Sequence, residues 1–172
     1  ASRKSSKGLD QILADMKIEV RGDKVFLPHF EKPRSAGDEK SHPFLLIDYK
    51  LMTTAEGRGA NQPFLQESFG PHLYERWGSW VEINPDTAKE MGINDGDFIW
   101  VESPAGKVKS KARLFPGTHP RCIHIPYGQG HRAYGRWAKD RGVNPNDLLV
   151  REYDHLGGFL SYYSTRVKVY KA

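Results

Sequence analysis

The chain has 172 residues, 38% hydrophobic and 27% charged, with 26 Lys and Arg against 21 Asp and Glu for a formal charge of +5. The length suits one ordinary domain with a small extension, and a charge this small and dispersed gives no ground for a nucleic-acid partner. The single cysteine, Cys122, excludes an internal disulfide, a CxxC zinc site and a cysteine-ligated iron–sulfur cluster within this chain.

No apolar run reaches the roughly 20 residues that a membrane-spanning helix needs. The basic stretch at residues 1–7 lacks the apolar segment of a secretory signal. Residues 1–42 read as an N-terminal extension and linker, with a short helix over 9–16 and an isolated strand over 24–27. Residues 31–42, rich in charge, Gly, Ser and Pro, read as an exposed loop with Ala36 its one apolar residue. The barrel-forming core, residues 43–172, opens with the apolar run Phe44-Leu45-Leu46-Ile47, of strand length. A long polar loop over 51–62 and a helical turn over 64–67 follow.

Trp80-Val81-Glu82-Ile83 is a strand with Trp80 and Glu82 on one face and Val81 and Ile83 on the other. Asn84 is a good N-cap, Pro85 suits the first helical position, Asp86 complements the helix dipole, and Gly92 ends the helix. Strands are then expected at 98–103, at 107–114 after a Pro104-Ala105-Gly106 turn, at 122–126 and at 165–170, with a short helix over 133–140. The composite is mainly β with short helices, and the spacing of the strands favours a small barrel.

Conventional catalytic motifs are missing: there is no GxSxG, HExxH, P-loop or complete GxGxxG. The seven histidines are scattered without metal-ligand spacing. His124, between Ile123 and Ile125, reads as a partly buried structural histidine, and Cys122 as a packed, inert thiol. Three polar segments stand out. The loop Thr53-Thr54-Ala55-Glu56-Gly57-Arg58-Gly59-Ala60-Asn61-Gln62 offers hydroxyls, a guanidinium, amides and glycines that let backbone N–H groups approach a ligand, although a plain connector fits equally. The stretch Tyr127-Gly128-Gln129-Gly130-His131-Arg132 continues into Arg136 and Lys139, which suit phosphate or a merely solvated basic face. Asn144-Pro145-Asn146-Asp147 offers amides that mimic a base edge or simply make a turn.

The succession Trp80-Val81-Glu82-Ile83-Asn84-Pro85-Asp86-Thr87-Ala88, Gly92-Ile93-Asn94-Asp95-Gly96-Asp97 and Val101-Glu102-Ser103-Pro104-Ala105-Gly106 resembles a known domain. It is similar to the molybdopterin dinucleotide-binding domain, the C-terminal domain of catalytic subunits in the dimethyl sulfoxide reductase family. Arg58-Gly59-Ala60-Asn61-Gln62-Pro63 and Gly128-Gln129-Gly130-His131-Arg132-Ala133-Tyr134-Gly135-Arg136-Trp137 look most similar to the polysulfide and thiosulfate reductase branch.

The resemblance implies a double-psi β-barrel that holds bis-molybdopterin guanine dinucleotide with Mo or W, shared with other domains. The cofactor-binding candidates it implies are Thr53, Thr54, Arg58 and Asn61, then Asn84 and Asp86, then Gly130, His131 and Arg132, and Asn146 of an Asn-x-Leu motif. It places no catalytic residue, metal ligand or iron–sulfur cluster on this chain. The implied partners are the remainder of the catalytic subunit with iron–sulfur and membrane subunits, on the periplasmic side of a membrane complex. The rival expectation is a cofactor-free docking subunit in which Trp77, Trp80, Tyr162 and Tyr163 are exposed interface anchors.

Overall fold

The structure, a computed structural model, describes residues 34–67, 74–133, 135–154 and 157–172. The helix expected over 9–16 and the strand over 24–27 lie outside the described residues. The chain divides into a unit of residues 1–32 and a unit of residues 33–172, and the description concerns the second.

That unit is built around six strands: β1 Phe44–Lys50, β2 Trp80–Ile83, β3 Phe98–Glu102, β4 Lys107–Leu114, β5 Cys122–Tyr127 and β6 Arg166–Lys171. They close in the order β1-β5-β2-β4-β3-β6, the expected double-psi β-barrel. Two parallel pairs organise it. β1 lies along β5, with Leu45 opposite Cys122 through to Lys50 opposite Tyr127, and β2 lies along β4, with Trp80 opposite Lys111. Parallel neighbours demand long crossovers, so the connections of the two pairs interleave. The β3–β4 hairpin, the single β2–β5 bridge at Glu82 and His124, and the antiparallel edges of β6 complete the closure.

Strand alternation sends one side chain in two to the barrel axis. Leu46, Val81, Ile83, Ile99, Val101, Ile123, Ile125 and Val167 are fully buried there, and Leu148 plugs the same core. Two short helices flank the barrel: α1 Pro63–Glu67 and α2 Pro85–Glu90. Asn84 caps α2 as expected, its Oδ1 accepting from the Asp86 N–H at 3.0 Å, and the chain leaves at Gly92 with φ +66°. The helix expected over 133–140 is a series of turns in its described part. Gly135 at φ +95° and Asp140 at φ +60° break the helical backbone, and Asn61 takes the N–H groups of Trp137 and Ala138.

The described part of the 31–42 linker is anchored to the barrel. Ala36 is buried, bridges Thr165, and exchanges backbone hydrogen bonds with Ser164 and Arg166. Trp80, expected to be exposed, is only 1% exposed and so is no interface anchor. The outer face of β2 is covered: Trp80 packs edge-on against Tyr74, under the guanidinium of Arg113.

Beneath that cover sits Glu82, 4% exposed. Its Oε1 accepts from Tyr49 Oη at 2.8 Å, Trp80 Nε1 at 3.1 Å and Arg113 at 3.2 Å, and its Oε2 lies 3.5 Å from His124 Nδ1. This network joins β1, β2, β4 and β5 on the outer wall, and it gives His124 the structural role expected from sequence. Burial alone would raise the Glu82 carboxyl, but hydrogen bonds from His124, Trp80 and Tyr49 and the Arg113 charge hold it below the ordinary range. Burial and the adjacent carboxylate push the Tyr49 hydroxyl far up, so it remains a donor.

Replacing Glu82 by Ala strands one guanidinium and two buried donors and should cost roughly 3 kcal/mol of unfolding free energy. A carboxyl whose folded pKa is lowered stabilises above the unfolded carboxylate range and ceases to as pH falls through the folded value. The gap between wild type and Glu82→Ala, measured by denaturant titration, should therefore be full at pH 7 and shrink below about pH 4.

Candidate functional site

Because β1 and β5 are parallel and in register, they finish side by side at Lys50 and Tyr127. Their loops, 51–62 and 128–132, leave from one end of the barrel, and the Pro145–Asp147 turn meets them there.

The first loop is held rigidly. Its Ala55–Gly57 turn carries Ala55 and Glu56 at positive φ, and the Thr54 carbonyl accepts from the N–H groups of Gly57 at 3.0 Å and Gly59 at 2.7 Å. Gln66 of α1 is buried; it donates to the Ala60 carbonyl at 3.0 Å and accepts from the Trp77 N–H at 3.0 Å. Asn61 Oδ1 accepts from Trp137 N–H at 2.7 Å and Ala138 N–H at 3.0 Å, which ties the loop to the segment beyond β5. His131 Nε2 lies 3.1 Å from the Gly57 carbonyl oxygen.

Close backbone approach explains two of the glycines. Gly128, at φ +119°, runs so near Thr54 that a Cβ there would lie 2.5 Å from Thr54 Oγ1. Gly130, at φ +83°, would place a Cβ 2.3 Å from the Asn144 nitrogen. Any side chain at either position would push the three segments apart.

Clefts follow from this packing. One of about 340 Å³ lies between Glu56, Gly57, Tyr127, the 128–133 segment, Asn144 and Asn146. It shares Glu56, Tyr127 and Asn146 with a neighbour of about 680 Å³. It shares Gly130, His131, Arg132 and Asn144 with a third, of about 410 Å³, that reaches Lys107 and Lys109. A fourth, of about 130 Å³, touches Gly57, Arg58, Asn61 and His131. Together they make a chain of adjoining hollows suited to an extended ligand rather than a compact one.

The polar lining, hydroxyls and amides beside cations, suits a phosphate-bearing organic group. Under the loops, Thr53 Oγ1, Thr54 Oγ1 and Gln129 Oε1 are buried with no hydrogen-bond partner among the described residues. Such groups are costly unless something satisfies them. Cations ring the clefts. Arg58 is exposed, its Nε 3.4 Å from the Ala55 carbonyl, and Arg132 pairs with Asp147. Lys107 lies 4.8 Å above the Trp100 ring. Among the described residues, no group of three or more His, Cys, Asp or Glu is placed to hold a metal ion.

Eight of the ten expected residues converge here. Arg58, Asn61, Gly130, His131, Arg132 and Asn146 line the clefts, and Thr53 and Thr54 lie beneath the loops. Asn84 and Asp86 do not join them. β2 runs antiparallel to β5, so its end lies at the opposite end of the barrel, and both polar atoms of Asn84 are engaged, with Asp86 N–H and the Thr118 carbonyl. Glu56 and Tyr127, members of the same two polar segments but not among the ten candidates, also line the clefts. Tyr127 had a usable signal, an inward strand position immediately before a Gly-rich loop.

The family model described as the molydopterin dinucleotide binding domain matches residues 51–166. The molybdopterin-containing subunit of the arsenate respiratory reductase of Chrysiogenes arsenatis is 37% identical over 192 aligned residues, 99% of this chain and 21% of that protein. The molybdopterin-containing subunit of the thiosulfate reductase of Salmonella typhimurium is 31% identical, over 72% of this chain and 16% of that protein. In fold, the chain is similar to acetylene hydratase from Pelobacter acetylenicus, with a TM-score of 0.66 and 20% identity over 85% of this chain and 21% of that one. The chain thus spans about a fifth of the length of the arsenate relative.

The orphaned Thr54 hydroxyl gives a direct test. Thr54→Val keeps the shape and removes the buried polar atom, so the variant should be more stable than wild type by about 1 kcal/mol in a denaturant titration of the 172-residue chain. Gly128→Ala, which drives a methyl into the same hydroxyl, should be destabilised by about 2 kcal/mol in that assay.

Proposed function

The chain belongs to the molydopterin dinucleotide-binding domain family, and from that premise we propose that its loop end holds the pyrophosphate-bearing part of a molybdopterin dinucleotide within a larger respiratory reductase. The observation that carries this reading is the buried, partnerless Thr54 hydroxyl at the Gly57–Gly128 contact, ringed by clefts that Arg58 and Arg132 border. Hydroxyl O–H and amide N–H groups donate to phosphate oxygens, and guanidinium groups neutralise them in pairs of hydrogen bonds.

When bound, the cofactor supplies the metal-centred redox chemistry. This chain's residues bind and orient it. Thr54 and Gln129 sit under the loop contact, Arg58 and Arg132 flank it, and Asn146 offers an amide at the junction of two clefts. The dinucleotide is read as the bis-guanine form with Mo or W, held jointly with the rest of a catalytic subunit. With one cysteine in this chain, any cysteine-ligated cluster needs ligands from another part of the assembly, which fits iron–sulfur and membrane subunits as partners. A periplasmic face of the membrane is the proposed compartment.

For the substrate, greater identity over nearly the whole chain favours an arsenate-type oxyanion, and the thiosulfate relative keeps a sulfur compound as the second reading. Each substrate is checked with the purified catalytic subunit and a reduced viologen dye. Arsenate reduction is expected, and turnover of thiosulfate or polysulfide alone would select the second reading.

Retention of the cofactor tests the binding role. In the catalytic subunit, the triple variant Arg58→Ala, Arg132→Ala, Asn146→Ala removes charge-assisted contacts worth about 1.5 kcal/mol or more each, so nucleotide released on acid treatment should fall at least tenfold. Unchanged nucleotide would favour the cofactor-free docking reading.

A further inference from the structure

Asp48 stands at the mouth of the barrel, two residues beyond Leu46 on the inward face of β1, where alternation would place another apolar side chain. It is 7% exposed and lines the 680 Å³ cleft with Tyr127, Tyr162, Tyr163 and Asn146. A buried carboxylate needs a cation, a metal ion or N–H donors. Among the described residues, no ion pair reaches Asp48. The ammonium of its neighbour Lys50 lies 3.2 Å from Glu56. No metal-holding cluster forms among the described residues. Burial pushes its carboxyl above the ordinary range, and a hydrogen bond with its own backbone only partly offsets this. Among the described residues, the acid is thus buried without a cation beside it.

The surroundings say what kind of donor fits. Tyr127, Tyr162 and Tyr163 line the cleft beside the Asp48 carboxylate, while the second carboxylate there, Glu56, is paired with Lys50 and the Tyr49 hydroxyl is turned to Glu82. Such a lining makes a place for a flat heteroaromatic ring, stacked on its faces and hydrogen-bonded at its edge. Tyr162 and Tyr163 are 53% and 60% exposed, so their rings remain available to a ligand. A carboxylate offers two oxygens side by side and accepts only. Its complement is an edge with two adjacent N–H donors. A 2-amino-4-oxopyrimidine ring has such an edge in its ring N–H and exocyclic amine, whereas adenine offers only one donor next to an acceptor.

Resting on the cofactor reading above, we propose that Asp48 is the residue that recognises the 2-amino-4-oxopyrimidine edge of the dinucleotide, with the tyrosine-lined cleft as its seat. Guanine and the pterin itself share that ring, and the experiment separates them. The cleft adjoins the Asn144–Asn146 turn and the Gly128–Gly130 segment, so a ring in it lies next to the proposed pyrophosphate contacts.

The test is titration calorimetry on the 172-residue chain with guanosine diphosphate, neopterin, adenosine diphosphate and inorganic pyrophosphate. Asp48→Asn is the isosteric variant. It puts an NH₂ donor against the ring's donors, and because it removes a buried charge it should melt no lower than wild type. The expected result is that affinity for guanosine diphosphate, for neopterin, or for both falls at least tenfold in Asp48→Asn, while pyrophosphate binding is unchanged. Loss for guanosine diphosphate alone assigns the site to the nucleobase, loss for neopterin alone to the pterin, and loss for both to the shared edge. Equal affinities in the two proteins, no binding of either ring to wild type, or equal loss for adenosine diphosphate would each overturn the proposal. Failure of pyrophosphate to bind wild type would instead overturn the cofactor reading, and a persisting Asp48-dependent preference for either ring would then leave a ring site without a phosphate site.

Discussion

The parallel pairing of β1 with β5 is the constraint on which the molecule turns. Two strands distant in sequence run in the same direction and in register, with Leu46 opposite Ile123 and Lys50 opposite Tyr127. Both chains therefore emerge at one end, and two loops that are remote in sequence meet. Had β5 paired antiparallel with β1, as it does with β2, the glycine segment and the threonine loop would face opposite ends. The Glu82 network reinforces this arrangement from outside by joining a residue of β1 to three other strands.

The middle of the barrel and its loop end obey different physics. The middle is apolar and satisfied: Ile83, Ile99, Ile125 and Val167 are fully buried, and the buried polar group on its outer wall, Glu82, has its donors. The loop end collects most of the features that a fold avoids unless something else repays them: Ala55 and Glu56 at positive φ, the Thr53 and Thr54 hydroxyls without partners among the described residues, and an acid buried beside tyrosines, whereas the opposite end has the Thr118 hydroxyl alone. A protein selected only for stability would have removed them with single substitutions. Their concentration at one end is what distinguishes a ligand seat from ordinary loop packing.

Much of this was legible in the sequence. The alternation of β4, the Asn84-Pro85 start of α2, the hairpin at Pro104–Gly106 and the three polar segments are local signals, and local signals survive into the fold. What failed was non-local. Nothing near Trp80 announces that Tyr74 and Arg113 will cover it. Nothing near Asn84 tells that β2 runs the wrong way to bring it to the Gly130 loop. Asp48 was hidden in a run of apolar residues, and only closure of the barrel shows that its position opens into a cleft. The turns over 135–140 look helical in composition, yet Gly135 and the side chain of Asn61 decide otherwise.

A last consequence concerns chain length. Ser103 Oγ donates to the Leu148 carbonyl at 2.7 Å and accepts from Ala105 N–H at 3.0 Å, and a Cβ on Gly106 would meet the Asp147 carbonyl oxygen at 2.7 Å. The β3–β4 hairpin is thus a gauge block under the Asn144–Leu148 turn. One residue more or fewer in that hairpin would tilt Asn146 out of the two clefts it borders. The turn at Pro116-Gly117 lies at the other end, tied through the Thr118 carbonyl to Asn84 instead, so a change of length there would leave Asn146 where it is.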